Sequence, residues 1–172
     1  MAISLYDATV PSLLQVLAST SGFLDKGLEY CKENKIDANE IVEARIHPDM
    51  LPFRFQIQSV AHHSLGAIEA VKSGLFLAGG KTGTDYASLQ KLVVDAATAL
   101  KQISPAQVND AEGKEVIFQL GERKMPFTAE GFLLSVSLPN FYFHATTAYD
   151  ILRMKGVALG KRNFLGQIRM KS

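Results

Sequence analysis

Apolar residues recur at three- and four-residue steps through four long stretches of this chain, and only one short stretch changes to a two-residue period. That contrast constrains the fold more than any single motif does, because helices and strands bury different sets of positions. In the first stretch Val10, Leu13, Leu14, Leu17, Ser21, Leu24, Leu28 and Cys31 form one stripe, the mark of a helix with one buried face. Ser4 and Asp7 have capping-box spacing. Pro11 therefore lies either in the first turn of a helix begun near Thr9 or at a bend in one begun at Ser4, and the cap favours the bend.

Asp37 with Glu40 has the same spacing and opens a short helix through about Arg45, which His47-Pro48 breaks. Pro52 suits the first turn of a second long helix that runs to about Ser73, with Gly74 as its stop. Its stripe is Phe53, Ile57, Val60, Ala61, Ser64, Ala67, Ile68 and Val71. Thr84 or Asp85 caps a third helix with Leu89, Leu92, Val93, Ala96, Leu100 and Ile103 inward. Thr128 caps the last long segment, through Lys155 to Gly156, which Pro139 must bend or divide. Between these helices Val116, Phe118 and Leu120 alternate with polar residues up to Gly121-Glu122, and Met125 and Phe127 follow on a second arm, which reads as a β-hairpin. Phe164 and Leu165 pack the tail back on the helices.

The pattern predicts an all-α protein: an up-down four-helix bundle with a small β-hairpin before the last helix, residues 1–172 forming a single domain. A chain of 172 residues can close such a core without disulfides or a structural metal. Lys and Arg number 18 against 17 Asp and Glu, a net charge of +1, so the basic footprint of a nucleic-acid binder is missing. No apolar run reaches the roughly 18 residues of a membrane span. The N-terminus lacks a basic region followed by an apolar one. The expected location is the cytoplasm, which also suits the one cysteine. Cys31 falls on the buried stripe and reads as an inert thiol.

Two familiar motifs fail on spacing. The run Ala-Gly-Gly-Lys-Thr-Gly-Thr at 78–84 offers Gly80-Lys81-Thr82, but a phosphate-binding loop needs a glycine at position 75, where Leu75 stands, and a strand before it. The run reads as a plain connection. A di-iron bundle needs Glu-x-x-His pairs, and none occurs.

The informative residues are His62-His63, halfway along the second long helix, and His144, on the last. Asn140 lies four residues before His144, on the same helical face. His63 lies beside the apolar stripe, between Val60 and Ala67, and can point inward. Two imidazoles and an amide oxygen would make a lean divalent-metal site with open positions. The competing reading is a core histidine satisfied by hydrogen bonds.

The run Pro-Asn-Phe-Tyr-Phe-His-Ala-Thr-Thr-Ala-Tyr-Asp-Ile-Leu-Arg at 139–153 resembles a bacterial domain-of-unknown-function branch of the DinB/YfiT-like superfamily. So do Gly-Val-Ala-Leu-Gly-Lys-Arg-Asn-Phe-Leu-Gly at 156–166 and Ser-Leu-Tyr-Asp-Ala-Thr-Val-Pro at 4–11. The resemblance implies a four-helix bundle that forms a homodimer. It implies a divalent metal, zinc or nickel, held by one histidine on the second helix and two on the fourth, and chemistry of the thiol-dependent transferase or hydrolase kind. Carried over by position, the ligands are His63 (with His62 as the alternative), His144 and, where the family pattern has a histidine, Asn140. A carboxamide is a weaker ligand than imidazole for such ions, so the metal site is depleted.

Two functions follow from these residues. In the first, His63, His144 and Asn140 hold a divalent ion, and Tyr6, Asp7, Tyr142 and Tyr149 supply the wall of the site and its proton transfers. In the second, a metal-free dimeric bundle binds a small molecule or serves a structural role, and its histidines are hydrogen-bonded in a polar pocket.

Overall fold

The protein is described here by a computed structural model covering residues 3–80 and 83–171. Lys81 and Thr82 of the glycine-rich connection lie outside the described residues. The chain is mostly helical, with one three-stranded sheet.

Helix α1 spans Leu5–Asn34 with Pro11 inside it. The Ser4 side chain accepts the Asp7 amide and donates its hydroxyl proton to the Asp7 carboxylate. This cap fixes the start at Leu5, so proline is accommodated within the helix. The buried face is wider than the stripe read from the sequence, and Thr9, Val16, Thr20, Phe23 and Gly27 join it. Helix α2 is only Asn39–Val42. Asp37 accepts the Asn39 amide in a local turn rather than capping a helix through Arg45.

The second long segment begins at α3, Phe53–Ala61, continues through a π-helical turn at His62–Gly66, and ends as α4, Ala67–Ser73. Gly74 stops it in the left-handed conformation, φ 80°, which glycine adopts without a Cβ penalty. Helix α5, Tyr86–Leu100, is opened by a capping box between Asp85 and Ser88. Helix α6, Pro105–Asn109, follows. Thr128 caps α7, Ala129–Phe132, which passes through a second π-helical turn, Leu133–Ser137, into α8, Leu138–Met154. Pro139 explains this second turn. Without an N–H it cannot continue the α register, and the Leu138 amide just before it reaches back to the Leu133 carbonyl. Helix α9, Lys161–Leu165, lies on α1.

The all-α expectation is corrected by the sheet. Strands β2, Glu115–Leu120, and β3, Arg123–Thr128, form the expected antiparallel hairpin, with Phe118 opposite Met125. A third strand, β1, Leu75–Leu77, pairs parallel to β2, with Phe76 opposite Phe118. It follows directly on the Gly74 stop and is too short to show a period in the sequence. The inner face of the sheet sets Phe76 and Phe118 against Phe132 at ring-centroid distances of 4.9 and 6.3 Å. Helix α3 packs on α8 and α5, and α1 packs on α5. Phe23, Phe53, Phe132 and Phe141 are the largest side chains sealed in the core. Among the described residues, no helix is long and apolar enough to cross a membrane.

Candidate functional site

A cavity of about 360 Å³ opens between α3, its π turn, α8 and the strand β1. Two rows of helix α3 face it. Arg54, Gln58 and His62 stand four residues apart, as do Phe55, Ser59 and His63, the spacing that stacks side chains on one helical face. From α8 come Asn140 and His144, and from the sheet Phe76 and Phe118.

His63 and His144 lie nearly parallel, with centroids 6.1 Å apart and planes 16° from each other. The Nδ1 atom of His144 is 2.7 Å from Gln56 Oε1. An amide oxygen only accepts, so that nitrogen carries the proton and Nε2 keeps its lone pair. His63 Nδ1 is 3.3 Å from the Ser137 hydroxyl. The two π turns thus meet at this contact, and a widened turn here aims side chains that a regular helix would direct elsewhere. Burial, reinforced by His62 and His144, pushes the His63 pKa down to about 3. Burial pushes that of His144 down to about 4. Both rings are neutral at physiological pH.

His62 is disposed differently. Its Nε2 donates to the Leu77 carbonyl at 2.8 Å, and its ring stacks on Phe76 at 4.3 Å. Burial lowers its pKa, and the Leu77 carbonyl opposes that shift. Gly66 and Gly80 make room for this ring. A Cβ on Gly80 would stand 2.9 Å from His62 Cγ, and one on Gly66 2.9 Å from His62 Nδ1. Asn140 uses its amide N–H to donate to the Val136 carbonyl, 2.8 Å away, which leaves its oxygen as the group offered to the cavity.

His63, His144, Asn140 and His62 are therefore brought to one cavity. Tyr6, Asp7, Tyr142 and Tyr149 are not among its lining residues. Tyr6 sits at the start of α1, where its amide donates to Asn109. Asp7 is engaged by Ser4. Tyr142 is exposed and packs edge-on to Phe141. Two residues before His144, it falls on the far side of α8. Tyr149 packs against Phe23 and Phe164. His47 is exposed and paired with Asp49. The Cys31 thiol is buried and its pKa is raised by burial and by Glu40 and Asp37, which makes it a poor nucleophile.

Gln56, Ser137, Arg54 and Phe76 were not singled out in the sequence. Gln56 carried a usable signal, since it lies two helical turns before His63 and is a polar residue on a buried face. Ser137 carried none, because its direction depends on the π turn.

As lone-pair donors the lining offers His144 Nε2, the Asn140 oxygen and, in the tautomer whose Nδ1–H faces Ser137, His63 Nε2, with no carboxylate or thiolate beside them. Among the described residues no three His, Cys, Asp or Glu side chains converge as a metal cluster would. The donor types suit a borderline divalent ion, and their small number and neutrality suit weak retention.

A solved structure of a DinB family member protein from Shewanella denitrificans is similar to this chain at a TM-score of 0.82 and 25% identity. The match covers 98% of this chain and 95% of that one. No curated protein matches. The family model described as domain of unknown function DUF1993 matches residues 5–165, and the chain accordingly belongs to that family.

Proposed function

We propose that the cavity between α3 and α8 is the working site of the protein, and that His63 and His144 hold a divalent ion of the zinc or nickel type with Asn140 as a third, weaker contact. The observation that carries this reading is the pair of neutral imidazoles, each with Nδ1 against a side-chain oxygen. Such outer partners fix the tautomer and orientation of metal-binding histidines. A bound ion would supply Lewis acidity and lower the pKa of a thiol or water at its open positions. The chain's own residues do the rest. Gln56 holds the His144 proton on Nδ1, Ser137 orients His63, and Phe55, Phe76 and Phe118 keep bulk water from the donors. The reaction class is thiol-dependent transfer or hydrolysis.

The four long helical stretches are read with this site as an up-down four-helix bundle of the DinB type, with the sheet as its insertion. The TM-score to the DinB family member supports that reading. We further propose that the protein is a homodimer of the bacterial cytoplasm. Exposed Leu134, Phe143 and Met154 on the last helical stretch give the dimer an apolar surface, and light scattering after size exclusion tests it.

The metal reading is tested by elemental analysis of protein purified without chelator or metal-affinity resin, beside His144→Ala. Metal clearly above background, though below one ion per chain, and lost in the variant is expected. Trace metal that the substitution does not change would leave the metal-free small-molecule binder as the reading.

A further inference from the structure

We infer that the molecule taken by this cavity carries an anionic oxygen group, a carboxylate or a phosphate, and that Arg54 selects it. The inference rests on the proposed function only in taking this cavity as the site.

Arg54 is the one charged side chain among the described lining residues. It stands in the first turn of α3, half-buried, beside Phe55. Its Nε donates to the exposed Glu43 carboxylate. Among the described residues, its two terminal nitrogens meet no protein acceptor. Glu43 therefore holds the guanidinium from one edge and leaves the other edge, a two-donor fork, for a ligand. That fork matches two oxygens of a carboxylate or phosphate.

The rest of the lining sets the shape of the molecule. Phe55, Phe76 and Phe118 present apolar surface, and the rings of Phe55 and His144 are 5.7 Å apart. A ligand whose anion meets Arg54 thus lays its next atoms along Phe55 toward His144. The cavity, about 360 Å³, is near the small end of sites for metabolite-sized ligands. With a net charge of only +1, the protein has no general attraction for anions, so any preference must be local to Arg54.

The test compares phenylacetate and phenyl phosphate with neutral phenylacetamide. Binding to the zinc-free full chain is followed by NMR, through the Gly79 and Gly80 amides and the His144 ring. At least one anion is expected to bind about tenfold or more tightly than the amide. Arg54→Gln should erase the preference and Arg54→Lys should keep part of it, both with unchanged thermal midpoints. Whichever anion binds better identifies the group. Equal binding of anion and amide, an unchanged preference in Arg54→Gln, or no binding of either anion overturns the inference. Because zinc is absent, a failed metal reading leaves this result standing.

Discussion

The imidazoles of His63 and His144 lie 16° from parallel with centroids 6.1 Å apart, and each turns its Nδ1 to a side-chain oxygen of the opposite helical stretch. Gln56 on α3 serves His144 on α8, and Ser137 at the end of the second π turn serves His63 on the first. The Gln56 oxygen, which can only accept, fixes the His144 tautomer, the Ser137 hydroxyl orients the His63 ring, and each Nε2 lies on the ring edge away from these partners. A third imidazole is what this arrangement lacks. Asn140→His places one four residues before His144, on the same face of α8. The variant should bind zinc or nickel about tenfold or more tightly than wild type, since imidazole outcompetes a carboxamide for these ions. Equilibrium dialysis measures the change, and an affinity equal to wild type would refute the assignment of Asn140 to the metal's edge.

The same burial gives stability a pH dependence. The folded pKa values of His63 and His144 are depressed to about 3 and about 4, below the unfolded value near 6.5. Between these values the unfolded chain binds more protons than the folded one. Stability is therefore complete above about pH 6.5 and falls as pH drops toward the folded values. The urea midpoint should be lower at pH 5.5 than at pH 7.5. His144→Asn should flatten the dependence while His63 retains its own share. A midpoint that rises on acidification would show that the rings are charged in the folded protein.

Much of this fold was legible because long helices write their buried faces at a fixed period. The stripe from Phe53 to Val71 is buried nearly throughout, with only Ala61 half-buried, and the caps at Ser4, Asp85 and Thr128 stand where their spacing put them. The hairpin was legible from its alternation and its glycine turn. What escaped had no local signature. Strand β1 is three residues long and exists because Phe76 finds Phe118 across the sheet, a tertiary pairing. Pro139 announced a disruption, yet the form it took, a π turn that aims Ser137 at His63, depends on the partner stretch. The site followed the same division. His63, His144 and Asn140, singled out by type and spacing, line one cavity, whereas Gln56 and Arg54 acquire meaning only when α8 and the 43–54 connection are in place.

A close approach in the core offers a test independent of the site. The Tyr86 hydroxyl donates to the Leu24 carbonyl at 2.8 Å, and a Cβ on Gly27 would lie 2.3 Å from the Tyr86 hydroxyl oxygen. Gly27→Ala should therefore destabilise the protein by about 1–3 kcal/mol through overpacking, despite the gain of up to about 1 kcal/mol that alanine brings to a helix interior. Tyr86→Phe loses a hydrogen bond worth about 1 kcal/mol but clears the space. The double variant should then be more stable than the sum of the two single losses. Urea unfolding of all four proteins completes the cycle, and strict additivity would mean that Gly27 and Tyr86 do not share this space.

The last prediction concerns how firmly Gln56 governs His144. Gln56 is 2% exposed, and its amide N–H donates to the Leu51 carbonyl at 2.8 Å while its oxygen accepts from His144. Gln56→Glu keeps the shape, replaces the amide with a carboxylate, and faces the Leu51 carbonyl with another acceptor. A buried negative charge beside Nδ1 favours the imidazolium, so the His144 pKa should rise from about 4 by about one unit or more. An NMR titration of the His144 ring protons reads this directly. The lost donor to Leu51 should lower stability by about 1–3 kcal/mol. The carboxylate should at the same time strengthen His144 as a metal ligand, as in carboxylate–histidine–zinc triads. Stability alone would fall if Gln56 were a packing residue, so the decisive readout is the pKa: a His144 titration unchanged in Gln56→Glu would show that the 2.7 Å contact does not set the charge state of the ring.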